Sequence, residues 1–137
     1  MAATFPLRVV TPTGIVFEDE VEQVTARNPI GEFGVLAQHI NFVTSLVPCV
    51  LRIRIRGAET ENWIISGGLA EVKDGAMTIL ADSAESPASV NRAAAESEVR
   101  DKQEKLGSMS AFEVDFVVVE SELALVRARI EAVEVSS

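Results

Sequence analysis

Polar and apolar positions alternate at two different periods along this chain, near two in its first part and near a helical seam at its end. Alternation is strictest at Leu51-Arg52-Ile53-Arg54-Ile55-Arg56, which sets three apolar side chains on one face of a strand and three arginines on the other. Shorter apolar pieces surround it. Leu7, Val9 and Val10 are separated from 15–17 by Thr11-Pro12-Thr13-Gly14, a turn in which proline presets φ, so a hairpin is predicted. A half-polar strand over 21–27 ends at Asn28-Pro29-Ile30-Gly31. Strands over 62–66, 69–73 and 76–81 follow, the last two flanking Asp74-Gly75, which favours a two-residue hairpin turn. Between Phe33 and Leu51 no residue is charged. Gly34, Gln38, His39, Asn41 and Pro48 break that run into a turn and short core strands, with Phe42, Val43, Leu46 and Val50 expected in the core. Many short strands with turn chemistry between them predict an antiparallel β-sandwich over 1–84.

The pattern changes at Ser83. Ser86-Pro87 reads as an N-cap followed by proline at the first helical position, predicting a helix over 87–106 with i,i+4 pairs Arg92/Glu96, Glu98/Lys102 and Asp101/Lys105. Past Gly107-Ser108, the residues Phe112, Phe116, Val119, Leu123, Val126, Ile130 and Val133 recur at alternating steps of four and three, a heptad seam. Ala88, Ala95, Val99 and Leu106 offer a thin complementary face, so 85–137 is predicted to be an antiparallel two-helix hairpin. The β-branched run Val117-Val118-Val119 leaves a short strand over 114–119 as an alternative. The fold class is thus mainly β plus α.

Charge narrows the partners. With 21 acidic and 12 basic residues, the net charge of -9 disfavours nucleic acid and anionic lipid surfaces. The single cysteine forms no internal disulfide and no signal segment opens the chain, which fits a reducing compartment and no direct insertion into a membrane. No catalytic constellation is visible. His39 and Cys49 stand among apolar residues outside any nucleophile motif, and one His with one Cys makes no metal site. Glu18-Asp19-Glu20 reads as a solvated turn. Arg52, Arg54 and Arg56 repel one another along one face unless cross-strand acids or an acidic partner relieve them. From the residues alone this is an interaction protein without enzyme chemistry.

Three short motifs then occur in order: Gly31-Glu32-Phe33-Gly34-Val35-Leu36 with His39, Ser66-Gly67-Gly68 with Glu71-Val72, and Leu80-Ala81-Asp82 with Ala84. With the helical hairpin behind them, the whole chain resembles the epsilon subunit of the F-type ATP synthase. That resemblance implies a ten-stranded sandwich and two C-terminal helices on the central stalk, the rotor. It implies a non-catalytic subunit whose sandwich binds the gamma subunit and rests on the c-subunit ring, coupling proton-driven rotation to ATP synthesis. It places the complex at the cytoplasmic face of the energy-transducing inner membrane, held there peripherally.

The motif match puts Glu32, with Phe33 and His39, at the c ring. In many members the helices open toward the catalytic beta subunit and restrain ATP hydrolysis; Arg127 and Arg129, the basic residues of the second helix, are candidate partner-facing groups, as are Arg52, Arg54 and Arg56. Some members bind ATP through a motif matched here by Ala88-Ser89-Val90-Asn91-Arg92-Ala93, which keeps the arginine and lacks the acid. Arg92 is therefore a nucleotide candidate set against a plain ion pair with Glu96, and ATP as a regulatory ligand is not favoured. No cofactor is expected. Most members of that family carry Pro-Gly after the position of Leu36 and a second proline closely after the histidine, whereas here Ala37-Gln38 and Asn41 stand. The alternative reading is a free-standing ATP-sensing protein.

Overall fold

The computed structural model describes residues 2–136. Ten strands form two sheets: β1 (Phe5–Thr11), β2 (Gly14–Val21), β3 (Gln23–Asn28), β4 (Gly31–Leu36), β5 (Phe42–Leu46), β6 (Cys49–Arg56), β7 (Glu59–Ile65), β8 (Gly68–Lys73), β9 (Ala76–Ala81) and β10 (Ala84–Glu85). One sheet has the order β2-β1-β9-β8-β5, the other β10-β7-β6-β3-β4. They face each other across a core that includes Leu7, Val9, Val24, Leu51, Ile53, Met77 and Ile79. The pairing is antiparallel throughout except for β1 and β9, which run parallel with Leu7 opposite Met77. That pair brings the two ends of the sandwich segment side by side, where the sequence pattern alone predicted antiparallel neighbours only.

Local chemistry sets the turns. Thr11 and Gly14 close the first hairpin, whose strand carries a bulge between Val9 and Val10. Asp74 (φ 51) and Gly75 (φ 82) supply the two positive φ values that the β8–β9 turn requires. Gly68 has a different task. A Cβ there would lie 2.0 Å from the Leu80 carbonyl oxygen, so only glycine lets β8 approach β9 at that point. Two strand boundaries differ from the expectation: Val21 ends β2 instead of opening β3, and β7 begins at Glu59 after a tighter turn. In each case ladder pairing extends the strand into polar residues that periodicity assigns to a turn.

The hairpin consists of α1 (Arg92–Gly107) and α2 (Val114–Ser136). The predicted start at residue 87 was too early. Ser86 caps only a short 3-10 turn, Pro87–Ser89, after which Val90 returns to an extended backbone and Asn91 caps α1 through the Ala94 N–H at 3.0 Å. Val90 packs beside Val50 and Ile64, and burying it requires the chain to stay extended there. Ala88 is accordingly exposed in the 3-10 turn and takes no part in the helical seam. The alternative strand over 114–119 does not form. Val119 is buried with Leu123 and Val126 in α2, and that burial outweighs the propensity penalty of a β-branched run. Phe112 lies before the helix and is 98% exposed, so the seam begins at Phe116.

A second stripe of α2, absent from the sequence expectation, decides where the hairpin sits. Ala128 and Ala132, flanked by Leu125, bury against Val50 and Ile64 on the outer face of the β6–β7 sheet. That sheet is therefore covered on both faces. Adjacent residues Val50-Leu51 and Ile64-Ile65 are buried together for this reason, where a sheet with one wet face would alternate.

Candidate functional site: the uncovered faces and the hairpin junction

The 31–39 segment is mostly not a loop. Gly31–Leu36 is β4, an edge strand paired only with β3, and the turn proper begins at Ala37. Glu32 faces solvent across from Arg27, with 3.7 Å between the charged groups. Phe33 turns inward by the period of the strand and meets Phe42 edge-on at 5.8 Å. The His39 ring lies 4.9 Å from Phe42, and its Nδ1 is 2.8 Å from the Ile40 carbonyl oxygen, which accepts when Nδ1 carries the proton. Phe33 and His39 thus share one aromatic cluster through Phe42, whereas Glu32 is on the opposite side of the strand. Gln38 adopts φ 64, the left-handed region, and Asn41 caps the β8–β9 turn by accepting from the Asp74 N–H at 3.0 Å. Ile30, 96% exposed in the β3–β4 turn, and Ile40 project beyond this edge. Val43, expected in the core, points outward from β5.

Among the described residues, no helix packs on the outer face of the other sheet. Cross-strand registers set Ile15 beside Val10, Val10 beside Leu80, and Leu80 beside Leu69, giving an apolar row across four strands. Ile15, Leu69 and Leu80 are all exposed. Sequence reading missed this row, because an outward leucine in a strand looks like an inward one until the register is known.

The candidate arginines fall into two groups. Arg52 bonds Glu131 of α2 at 2.7 Å, Arg129 makes a bidentate pair with Glu85 at 2.8 and 2.9 Å, and Arg92 bonds both Glu96 and Glu134. These three tie the helices to the sandwich or to each other. Arg54 stands 3.7 Å from Glu22, and among the described residues Arg56 and Arg127 make no ion pair. Of the predicted helix pairs, Arg92/Glu96 forms, while Lys102 reaches across the hairpin to Glu122 in place of Glu98. The Arg129 guanidinium holds the Glu85 carboxyl below its ordinary value, and Lys102 does the same for Glu122. A groove of about 370 Å³ beside the 3-10 turn is lined by Asn91, Arg129 and the acids Glu85 and Glu98, while Arg92 lies outside it.

Cys49 is buried, and desolvation pushes its thiol up to about 11, which leaves it protonated and unreactive. Among the described residues no cluster of His, Cys, Asp or Glu is arranged to hold a metal ion. No helix among them is long and apolar enough to cross a membrane.

Residues 4–87, the whole sandwich, match the family described as ATP synthase, Delta/Epsilon chain, beta-sandwich domain. The chain belongs to the ATP synthase epsilon chain family. It is 42% identical to the ATP synthase epsilon chain of Afipia carboxidovorans over 76% of each chain. Identity to the epsilon chain of Bacillus cytotoxicus is 38% over 91% of each, and to that of Clostridium novyi 33% over 97% of this chain and 100% of the other. In shape it is similar to a chain of the Euglena gracilis mitochondrial ATP synthase structure containing OSCP, F1 and c-ring, with TM-score 0.79, 25% identity, and coverage of 99% and 82%. The same fold recurs in the central stalk and c-ring structure of Tetrahymena thermophila, at TM-score 0.67 and 16% identity over 96% of this chain and 98% of that one. An epsilon-family chain is a non-catalytic subunit of the central stalk. It belongs to a membrane-associated complex.

Proposed function

We propose that this chain couples rotation of the c ring to the catalytic head by joining that ring to the gamma subunit, each through a different uncovered surface of the sandwich. One observation carries the division of labour: α2 covers the outer face of the β6–β7 sheet, which leaves the β1–β9 sheet with its apolar row free for a large, stable interface. Gamma is assigned to that row, Val10, Ile15, Leu69 and Leu80. The c ring is assigned to the β4–β5 edge, where Glu32 meets basic loop residues of c while Ile30 and Ile40 supply apolar contact around the Phe33–His39 cluster. The helices are assigned a restraint on ATP hydrolysis, exerted on the catalytic beta subunit when the hairpin leaves the sandwich, with Arg127 and Arg56 the arginines available to a partner while it is docked. The complex works at the cytoplasmic face of the energy-transducing membrane.

The ATP-sensing alternative is less well supported. Arg92 is engaged by two carboxylates, and the adjacent groove presents Glu85 and Glu98 to any phosphate.

Co-purification from solubilised membranes tests the assignment. Leu80→Lys puts a charge in the centre of the row and is expected to lose gamma at least tenfold, since burying an unpaired charge costs more than 1.4 kcal/mol. Glu32→Ala is expected to retain gamma and weaken retention of c. If both variants keep both partners at wild-type ratios, the assignment of faces is wrong.

A further inference from the structure

Of the run Val117-Val118-Val119 only Val119 is buried, in the seam with α1, while Val117 is 65% exposed, Val118 52%, and Val114 one turn before them 87%. β-branched side chains weaken a helix, and at exposed positions no burial offsets that cost. The fold of the chain therefore gives no reason for these valines. Their placement does. Val114, Val117, Val118 and Ser121 precede Leu125, Ala128 and Ala132 at helical steps of three and four, so all of them lie along one side of α2, away from the seam. The C-terminal half of that stripe is covered by Val50 and Ile64 of the sandwich. Its N-terminal half overhangs the sandwich, and nothing among the described residues covers it.

Charge selects the occupant. Between Lys105 and Arg127 the chain carries Glu113, Asp115, Glu120 and Glu122 and no basic residue. Lys102 neutralises Glu122, whereas among the described residues Glu113, Asp115 and Glu120 make no ion pair. The helical period sets Glu113 and Glu120 together along one flank of the valines. A second copy of the chain would bring acids against acids, and an anionic lipid surface is repelled in the same way.

We infer that the overhanging stripe is a docking surface for a basic amphipathic helix of another chain. That helix lays its apolar residues on Val114, Val117 and Val118, and its Lys or Arg groups meet Glu113 and Glu120 on the flank. It takes, for the first half of α2, the place that Val50 and Ile64 hold for the second. The surface is complete while the hairpin is docked, so binding needs no release from the sandwich and does not rest on the rotor assignments above.

The test titrates the full chain with a helical peptide of about 18 residues that carries leucines at i, i+3, i+4 and i+7 and lysines on both flanks. Calorimetry reads the affinity, and amide NMR shifts locate the contact, expected over 112–121 with β1 and β9 unchanged. Val117→Ala combined with Val118→Ala removes the contact while raising helix propensity, so the fold is kept and binding is expected to weaken about tenfold or more. Exchanging the lysines of the peptide for glutamates is expected to weaken it by a similar factor. No binding at millimolar peptide, equal affinity for the wild type and the double variant, equal affinity for the two peptides, or shifts centred on the β1–β9 row overturns the inference. Sedimentation supplies two further arms. Dimerisation of the wild type, or its binding to anionic vesicles, that the double variant abolishes would make a second copy or a lipid surface the occupant and overturn it as well.

Discussion

Replacing Arg129 by Gln is expected to loosen the docked hairpin without unfolding the sandwich. The guanidinium donates to both Glu85 oxygens at 2.9 and 2.8 Å, and the two side chains are only 27% and 30% exposed. A freely exposed ion pair contributes about 0 to 1 kcal/mol, and breaking a fully buried one costs about 3 to 5 kcal/mol. Intermediate burial with bidentate geometry sets the loss at about 1 to 2 kcal/mol, a factor of roughly 5 to 30 in the docking equilibrium. Hydrogen exchange is the assay: amides of α2 near Ala128 and Ala132 should exchange faster by that factor, and those of β1 and β9 should not change. Acid provides an internal control. Arg129 lowers the Glu85 carboxyl in the folded chain, so the pair's contribution is fully present above the unfolded value of about 4.3 and is lost as pH falls through the lowered folded value. With rates corrected for intrinsic exchange, wild type and variant should therefore converge in that window. Acceleration spread evenly over both sheets, or a gap that persists at low pH, would refute a local latch.

Two further outcomes concern the backbone. Gly68→Ala forces a Cβ to within 2.0 Å of the Leu80 carbonyl at φ 144, so β8 and β9 must separate; a loss of about 3 kcal/mol or more is expected in urea unfolding. Gln38→Gly removes the left-handed penalty at φ 64, about 1 to 2 kcal/mol, against roughly 0.5 to 1 kcal/mol of added chain entropy. A net gain near 0.5 kcal/mol in the same assay is expected, and a loss would mean that the Gln38 side chain holds the turn.

The structure gives Gln38 and Asn41 of this loop a physical account. Asn41 serves the neighbouring β8–β9 turn through its side-chain oxygen. Gln38 takes up the positive φ that glycine adopts without strain. These two residues thus shape the turn next to the edge assigned to coupling.

Sequence by itself determined the alternating strands, the Asp74-Gly75 turn, the helical hairpin, the buried cysteine and the family, because each is a local period or a short motif. What tertiary structure alone decided is which apolar residues meet. Val43 and Leu80 carry the same hydrophobicity as their buried neighbours and face outward only because register places them there. Val117-Val118-Val119 is helical because Val119 packs in the hairpin seam, and Val50 with Ile64 is covered because a second stripe of α2 lands on them. The arginines show the same limit. Spacing marks Arg52, Arg54 and Arg56 as one charged face, but Glu131, distant in sequence, takes Arg52 and thereby leaves Arg127 without its i,i+4 partner. Electrostatic pairing is settled by distances of a few ångströms in space, and the order of residues along a chain does not contain them.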